Sequence, residues 1–405
     1  MLKSKIKLNR NIPLTDDEFD EVRILCDLAN ALCQCRKLFL EANCMDPEIH
    51  MPSGLEWGSV GTWGGSWQEL KAKNRGSIDV FKCMGNVFSD RPIVQYNSDE
   101  LTPDLDASVK RTIMMMKALP KKWRHYMPSR FGEIGWDFNG HPINCQTETH
   151  QERFAALFLS GVADWLSNKS QTSEPPKILE VGAGSGEALY TFCKALPGST
   201  VYNCDLPECQ SHAMALLRTL LPEKRHYVYT GNLDLALPSQ NAFSINDPED
   251  VLNLQNSVVH IPNYLIGDFN NLLKVDLVYN AWSFSEMSEK QVENYAKLIC
   301  SFLGKTGILF EQNGNHAEKG GNYCKDTFKN FFKFRSSEIL AGPYNARALG
   351  GEMDIWSADK VDLPTLAAKK KIRVLKSMEE IPGRQPWNTA AILEKDILGH
   401  WLKHG

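Results

Sequence analysis

No stretch of the chain approaches the ~20 consecutive apolar residues that cross a bilayer, so no helical membrane span is expected. A broad basic field is missing too. Lys and Arg number 45 against 49 Asp and Glu, a net charge of -4, which argues against nucleic acid as a partner. The 11 cysteines are odd in number, and none stands in Cys-x-x-Cys. Their densest group, Cys26, Cys33, Cys35 and Cys44, has no usual zinc spacing. Reduced thiols and no metal site are therefore expected, with Cys26 and Cys33 serving as small apolar residues on a helix face. The start, Met1-Leu2-Lys3-Ser4-Lys5-Ile6-Lys7, is basic but lacks the apolar run of a signal peptide, so a cytoplasmic location is the expectation. No internal repeat is present. With 42% hydrophobic and 23% charged residues over 405 positions, the chain has material for two or three domains and a large core.

Along the chain, Thr15 and Glu18 form a capping box before a helix that carries Phe19, Val22, Leu25, Cys26, Ala29, Leu32 and Cys33 inward and runs to about Leu40. Residues 51–67 are dense in Gly and Trp (Trp57, Trp63, Trp67) and read as a shaped loop whose rings either pack on the core or stack on a sugar. Residues 105–119 read as a helix with Val109, Ile113, Met116 and Leu119 inward. Phe131-Gly132-Glu133-Ile134-Gly135-Trp136 and the Asn139-Gly140 turn make a compact hairpin or loop. A single helix is expected from Thr149 to Leu166, with His150 and Arg153 in its first turns. Arg153 is either a carboxylate clamp or a solvated helix residue. A linker, Ser170 to Pro176, follows.

Beyond the linker, strands alternate with helices, the pattern of a parallel sheet with crossover helices. Strands are expected at about 177–181, 200–204, 258–261 (with 227–229 competing), 275–280 and 307–311. The stretch from Pro222 to Ser257 is long for a connection and reads as a lid or inserted hairpin. Runs at 332–339 and 353–357 would close the sheet as antiparallel strands. The basic run Lys369 to Arg373 reads as a solvated face, and 390–402 as an amphipathic terminal helix.

The chain is organised around Lys177-Ile178-Leu179-Glu180-Val181-Gly182-Ala183-Gly184-Ser185-Gly186. A short strand, a glycine-rich turn and a helix from Glu187 bring backbone close to a nucleotide-like ligand. Dinucleotide sites want a glycine where Glu187 stands, and a carboxylate there would repel a pyrophosphate. Asp205 ends the next strand, about 20 residues on, where an acid accepts hydrogen bonds from ribose hydroxyls; by itself it could equally be a helix cap.

Glu180-x-Gly182-x-Gly184-x-Gly186 resembles motif I of the Rossmann-like, S-adenosylmethionine-dependent class I methyltransferases. That ligand is cationic at sulfur and nitrogen, so nearby carboxylates suit it. Six segments together resemble the sugar O-methyltransferase family over about residues 125 to 357: Phe131 to Trp136, Thr149 to Arg153, Glu180 to Gly186, Asp205-Leu206-Pro207-Glu208, Asn280-Ala281-Trp282-Ser283-Phe284-Ser285-Glu286-Met287, and Gly351 to Trp356. The resemblance implies a mostly parallel seven-stranded α/β sheet with helices on both faces, over residues 170–360. A mainly helical region, 1–169, would bind the acceptor or act as a lid, and 361–405 would be an extension. It implies S-adenosyl-L-methionine as cofactor, held by Glu180, Gly182, Ala183, Gly184, Gly186, Asp205, Leu206, Asn280 and Arg153. The partner would be a sugar or glycan acceptor in polysaccharide biosynthesis, and a homo-oligomer is compatible with the sequence.

A sugar hydroxyl is a weak nucleophile, so a general base or a metal should assist methyl transfer. Glu286, just past the fourth strand, and His316, after the fifth, are the candidates, with Glu133 orienting acceptor hydroxyls. Each also has a plainer reading: Glu286 as a helix cap, His316 as a loop residue. Two rival functions stay open on sequence alone, an NAD-dependent sugar-nucleotide oxidoreductase and a non-catalytic methyltransferase-like binding module.

Overall fold

The computed structural model describes residues 15–51, scattered positions from 109 to 117, then 119–126, 136–143, 145–231, 243–314, 323–338, 353–359 and Val361. The Trp-rich loop at 52–67, Glu133, residues 232–242, His316, the basic run and the terminal helix lie outside the described residues.

The first helix, α1 (Asp16–Glu41), starts at the expected capping box: Thr15 accepts from Glu18 N while the Glu18 carboxylate accepts from Thr15 N. Val22, Leu25, Cys26, Ala29 and Leu32 are buried, whereas Phe19 and Cys33 are only half so. A short helix α2 (Pro47–His50) follows. Strands β1 (Trp136–Phe138) and β2 (His141–Ile143) form the expected hairpin around Asn139 and Gly140, both with positive φ. The helix expected from Thr149 to Leu166 is instead two, α3 (Cys145–Leu159) and α4 (Val162–Lys169). Gly161 breaks them with φ of 87°, a conformation that a residue with a Cβ resists. Periodicity continues through such a break, which is why the pattern reads as one helix.

Among the described residues the main sheet has nine strands rather than seven, in the order β10-β11-β9-β8-β3-β4-β7-β5-β6. Its members are β3 (Lys177–Val181), β4 (Thr200–Asp205), β5 (Arg225–Tyr229), β6 (Ser244–Ile245), β7 (Ser257–Pro262), β8 (Leu277–Ala281), β9 (Ile308–Gln312), β10 (Phe334–Glu338) and β11 (Met353–Ser357). Pairing is parallel from β6 across to β9; β11 is antiparallel to both of its neighbours. The two extra strands come from the 222–257 stretch. The competing segments at 227–229 and 258–261 are both strands, and with the short β6 they extend the sheet edge in parallel rather than forming a hairpin. The connecting helices are α5 (Glu187–Ala195), α6 (Pro207–Leu220), α7 (Pro248–Leu252), α8 (Glu289–Leu303) and α9 (Cys324–Phe328).

Alternation along the strands sends side chains to two cores. On one face Leu179, Tyr202, Val259 and Leu309 pack with Leu25 and Leu32 of α1 and Val292, Ile299 and Phe302 of α8. On the other, Ile178, Val201, Leu277 and Phe310 pack with Phe154 of α3, Leu166 of α4 and Leu189 and Phe192 of α5. The region before the linker therefore supplies helices to both faces. Strand order reverses at β3, between β4 and β8, and in such sheets ligands bind beyond the strand carboxyl ends at that point.

Candidate functional site

The turn after β3 has Gly182, Gly184 and Gly186 at φ of 72°, 54° and 82°. The first and last are demanded by neighbours as well as by conformation. A Cβ at Gly182 would overlap Ser283 Oγ, and one at Gly186 would lie 3.1 Å from the Ala213 Cβ of α6. Asp205, at the end of β4, ties the turn down: one carboxylate oxygen accepts from Gly184 N at 2.8 Å, the other from Leu206 N at 2.7 Å. It is not the helix cap, since α6 starts from Leu206 without a side-chain cap bond. Burial pushes its carboxyl up to about 6, against the pull of the two N–H groups.

A cavity opens beside this turn. Gly182, Asp205 and Leu206 line it, with Ser283 and Glu286 from the segment after β8. Its far wall brings Asn263, Gln291 and Tyr295, and Ile49 and Met51 close it from the N-terminal region. The closing segment is held by main-chain carbonyls. Gln291 Nε2 donates to Ile49 O (3.2 Å) and Met51 O (2.5 Å), and Asn263 Nδ2 donates to His50 O (2.9 Å).

The segment after β8 is under strain. Trp282 has φ of 73°, a region costly for a bulky residue and concentrated at functional sites. Its N–H donates to Gln312 O at 2.8 Å, and the Arg153 guanidinium lies 4.5 Å from its ring centroid. A 3-10 turn, Ser283–Glu286, then leads to α8. That helix is capped by Ser288 in a box with Gln291, so Glu286 is not its cap. Asn280 is wholly buried: its amide donates to Val181 O at 2.8 Å and to Ser283 Oγ, fastening this segment to the glycine turn.

On the opposite face of the sheet a second polar cluster lies under the turn. Arg153 donates through Nε to Gln312 Oε1 at 2.7 Å. Glu180 and Glu187 are buried, and burial raises both carboxyls, well above the usual range for Glu180, while Arg153 pulls each down. His150 Nε2 is 3.2 Å and His125 Nε2 3.8 Å from Glu187 Oε2, and their rings lie 4.8 Å apart. Burial holds both imidazoles neutral, with His125 lowered to about 3 and His150 far below its usual range. Arg153 Nη2, Glu180 Oε2 and Trp282 Nε1 are buried without a hydrogen-bond partner in the protein.

The residues expected from sequence thus fall into two groups. Gly182, Asp205, Leu206 and Glu286 share the cavity wall, and Gly184, Gly186 and Ala183 shape the turn. Glu180 and Arg153 belong to the cluster beneath, and Asn280 braces the segment between them. Glu133 and His316 lie outside the described residues. His125, Asn263, Gln291 and Tyr295 carry no local signal in the sequence and reach the site only through tertiary packing. Among the described residues no group of His, Cys, Asp and Glu suits a metal, the cysteines whose side chains are described are free, and no helix is long and apolar enough to cross a membrane.

The fold is the Rossmann-like one that the resemblance implied. No family model and no curated protein matches the chain. Among solved structures it is similar to a TehB-like SAM-dependent methyltransferase from Corynebacterium glutamicum, with 16% identity over 52% of this chain and 96% of that one, at a TM-score of 0.31. It is also similar to precorrin-6y C5,15-methyltransferase from Geobacter metallireducens (10% identity, 49% and 87% covered, TM-score 0.30). A third is the N-methyltransferase NodS from Bradyrhizobium japonicum, solved with S-adenosyl-L-homocysteine (12%, 48% and 83%, TM-score 0.29). Likeness at that level carries no argument about the chemistry of this chain.

Proposed function

We propose that the chain is an S-adenosylmethionine-dependent O-methyltransferase whose acceptor is a hydroxyl of a sugar or glycan precursor. The observation that carries the cofactor is the pairing of Asp205 with the glycine turn at the strand-order switch, on a helix whose first residue is Glu187. The carboxylate of Asp205 suits ribose hydroxyls, and Glu187 in the first turn of α5 disfavours a pyrophosphate. The residues fit the rest of such a ligand. The buried Nη2 of Arg153 suits a carboxylate, and the buried Glu180 and Glu187 suit positive charge nearby. When bound, the cofactor supplies a methyl group activated by a sulfonium.

The chain's own residues would hold the acceptor oxygen in line and take its proton. Alignment can contribute much of the acceleration. Glu286, on the cavity wall, is the base we favour among the described residues; His316 is the alternative, with Glu133 orienting the acceptor. The sugar acceptor rests on the resemblance of the quoted segments.

Calorimetric titration with S-adenosylhomocysteine and with NAD tests the cofactor. Binding of the first and not the second is expected, and tight binding of NAD alone would overturn the reading. Glu286→Gln then tests the base. It should lower kcat about 10²–10⁴-fold with little change in cofactor affinity. A loss of affinity with kcat intact would make Glu286 a cofactor ligand instead.

A further inference from the structure

One row of side chains crosses the sheet from its antiparallel side to the glycine turn. Asp354 of β11 is in register with Glu311 of β9, Glu311 with Asn280 of β8, and Asn280 with Val181 of β3. In-register partners share a face, so the four lie side by side. Three of these are polar and wholly buried, which needs an explanation in a core.

The row is one hydrogen-bonded chain with a single polarity. At its outer end Lys325 of α9 ion-pairs with Asp354 and lies 3.7 Å from Glu311 Oε1. Arg335 of β10 grips Asp354 through two bonds of 3.1 and 2.8 Å. The two oxygens of Glu311 then face different donors: Oε1 accepts from Trp356 Nε1 at 3.3 Å, and Oε2 accepts from Asn313 Nδ2 at 2.9 Å. The same Nδ2 donates to Asn280 Oδ1 at 2.9 Å, while Asn313 Oδ1 accepts at 3.1 Å from the Ser285 N–H, which it shares with Trp282 O at 3.0 Å. Asn280 in turn donates to Val181 O and to Ser283 Oγ. Every link from Glu311 onward is fixed by the one before it, and the last ones hold residues 283–285 against Gly182.

We propose that Glu311 is a positioning residue for the cavity: as an acceptor on both oxygens it sets the amide orientation of Asn313, and through it that of Asn280 and the 283–286 turn. No neutral isostere can do this. In Glu311→Gln the side-chain NH2 would turn either toward Trp356 Nε1 and Lys325 or toward Asn313 Nδ2, and each choice sets donor against donor. With Lys325 present, the amide oxygen would face the ammonium, so Asn313 would have to flip and confront the Ser285 N–H with its own NH2. Protonation of the carboxyl, which burial brings to about 7 against the pull of Lys325, weakens the same grip, because the oxygen that takes the proton becomes a poorer acceptor. The groups facing Glu311 are Lys325 and the Cys324 thiol from α9, and Asp354 and Trp356 from β11, with Arg335 of β10 behind Asp354.

Hydrogen exchange of the full chain, read by mass spectrometry on peptides spanning 280–288, tests this without any ligand. At pH 8, Glu311→Gln should speed exchange at Ser285 about 2- to 5-fold, because the N–H loses one of two acceptors and keeps Trp282 O, and should leave β4 and β7 unchanged. In the wild type, after correction for intrinsic chemistry, the same amide should loosen as pH falls through about 7; in Glu311→Gln that dependence should vanish. Wild-type protection in Glu311→Gln with the pH dependence retained would overturn the proposal. If that variant does not fold, Asn313→Ala keeps the charged end intact and should loosen Ser285 equally and lose the pH dependence; unchanged protection there overturns it too. The proposal takes its ligand from the methyltransferase reading, under which Glu311→Gln should also weaken S-adenosylhomocysteine about tenfold at pH 8. Wild-type protein that binds none, with Ser285 still loosened in the variant, would sink that reading and leave the positioning role standing.

Discussion

Replacing Asp205 by Ala should separate function from stability. The side chain accepts two backbone N–H bonds, from Gly184 and Leu206, each worth about 1 kcal/mol. Against that, burial lifts its carboxyl from 3.8 to about 6, so holding it ionised at pH 7 costs the fold at most about 3 kcal/mol. The value of about 6 already contains the pull of the two bonds on the charged form, so only what they give the uncharged carboxyl, at most about 2 kcal/mol, stands against that cost, and the Ala variant should lie within about 1 kcal/mol of the wild type at pH 7. The sign of the pH dependence follows from the raised carboxyl. Between 3.8 and about 6 the native state holds more protons than the unfolded chain, so this group adds stability as pH falls through that window. The variant lacks that gain and should be about 1–2 kcal/mol less stable than the wild type at pH 4. Urea midpoints at both pH values check it. Affinity for S-adenosylhomocysteine should drop about 5- to 150-fold, from about 1–3 kcal/mol of lost charged hydrogen bonding. Unchanged affinity removes Asp205 from the site, and a pH-independent stability difference refutes the account of its burial.

Gly182→Ala combines positive φ with a Cβ that overlaps Ser283 Oγ, so a loss of about 2–5 kcal/mol is expected in urea unfolding. Adding Ser283→Gly should recover the steric share and leave the φ strain, giving a coupling of about 1–3 kcal/mol in a double-mutant cycle. Arg153→Leu gives up the buried bond to Gln312 and the charge that draws the Glu180 and Glu187 carboxyls down; calorimetric unfolding should show a loss of about 1–3 kcal/mol, and an unchanged stability would contradict the cluster. Burial lowers His226 to about 4, so its contribution is complete above 6.5 and lost as pH falls toward 4; His226→Gln should flatten the stability profile there by up to about 1.4 kcal/mol per pH unit.

Local rules carried much of the fold. The capping box at Thr15, the strand–turn–helix at Lys177 to Glu187 and the acid at Asp205 depend on neighbours in the chain and could be read from it. Where reading failed, a local signal was ambiguous. Gly161 interrupts a helix without interrupting its apolar period, and the segments at 225–229 and 257–262 look alike until tertiary packing assigns both to one sheet.

What the sequence determined by itself was the glycine turn, its acid and the alternation of elements that makes a parallel sheet, because backbone conformation and apolar period act over a few residues. Only the tertiary structure decided that Asp354, Glu311, Asn280 and Val181 stand in one row, that Ser283 fills the room left at Gly182, and that Arg153 in α3 meets Trp282 after β8. Those contacts depend on strand register and on elements far apart in the chain, and no spacing along a single strand encodes which strand will lie beside it.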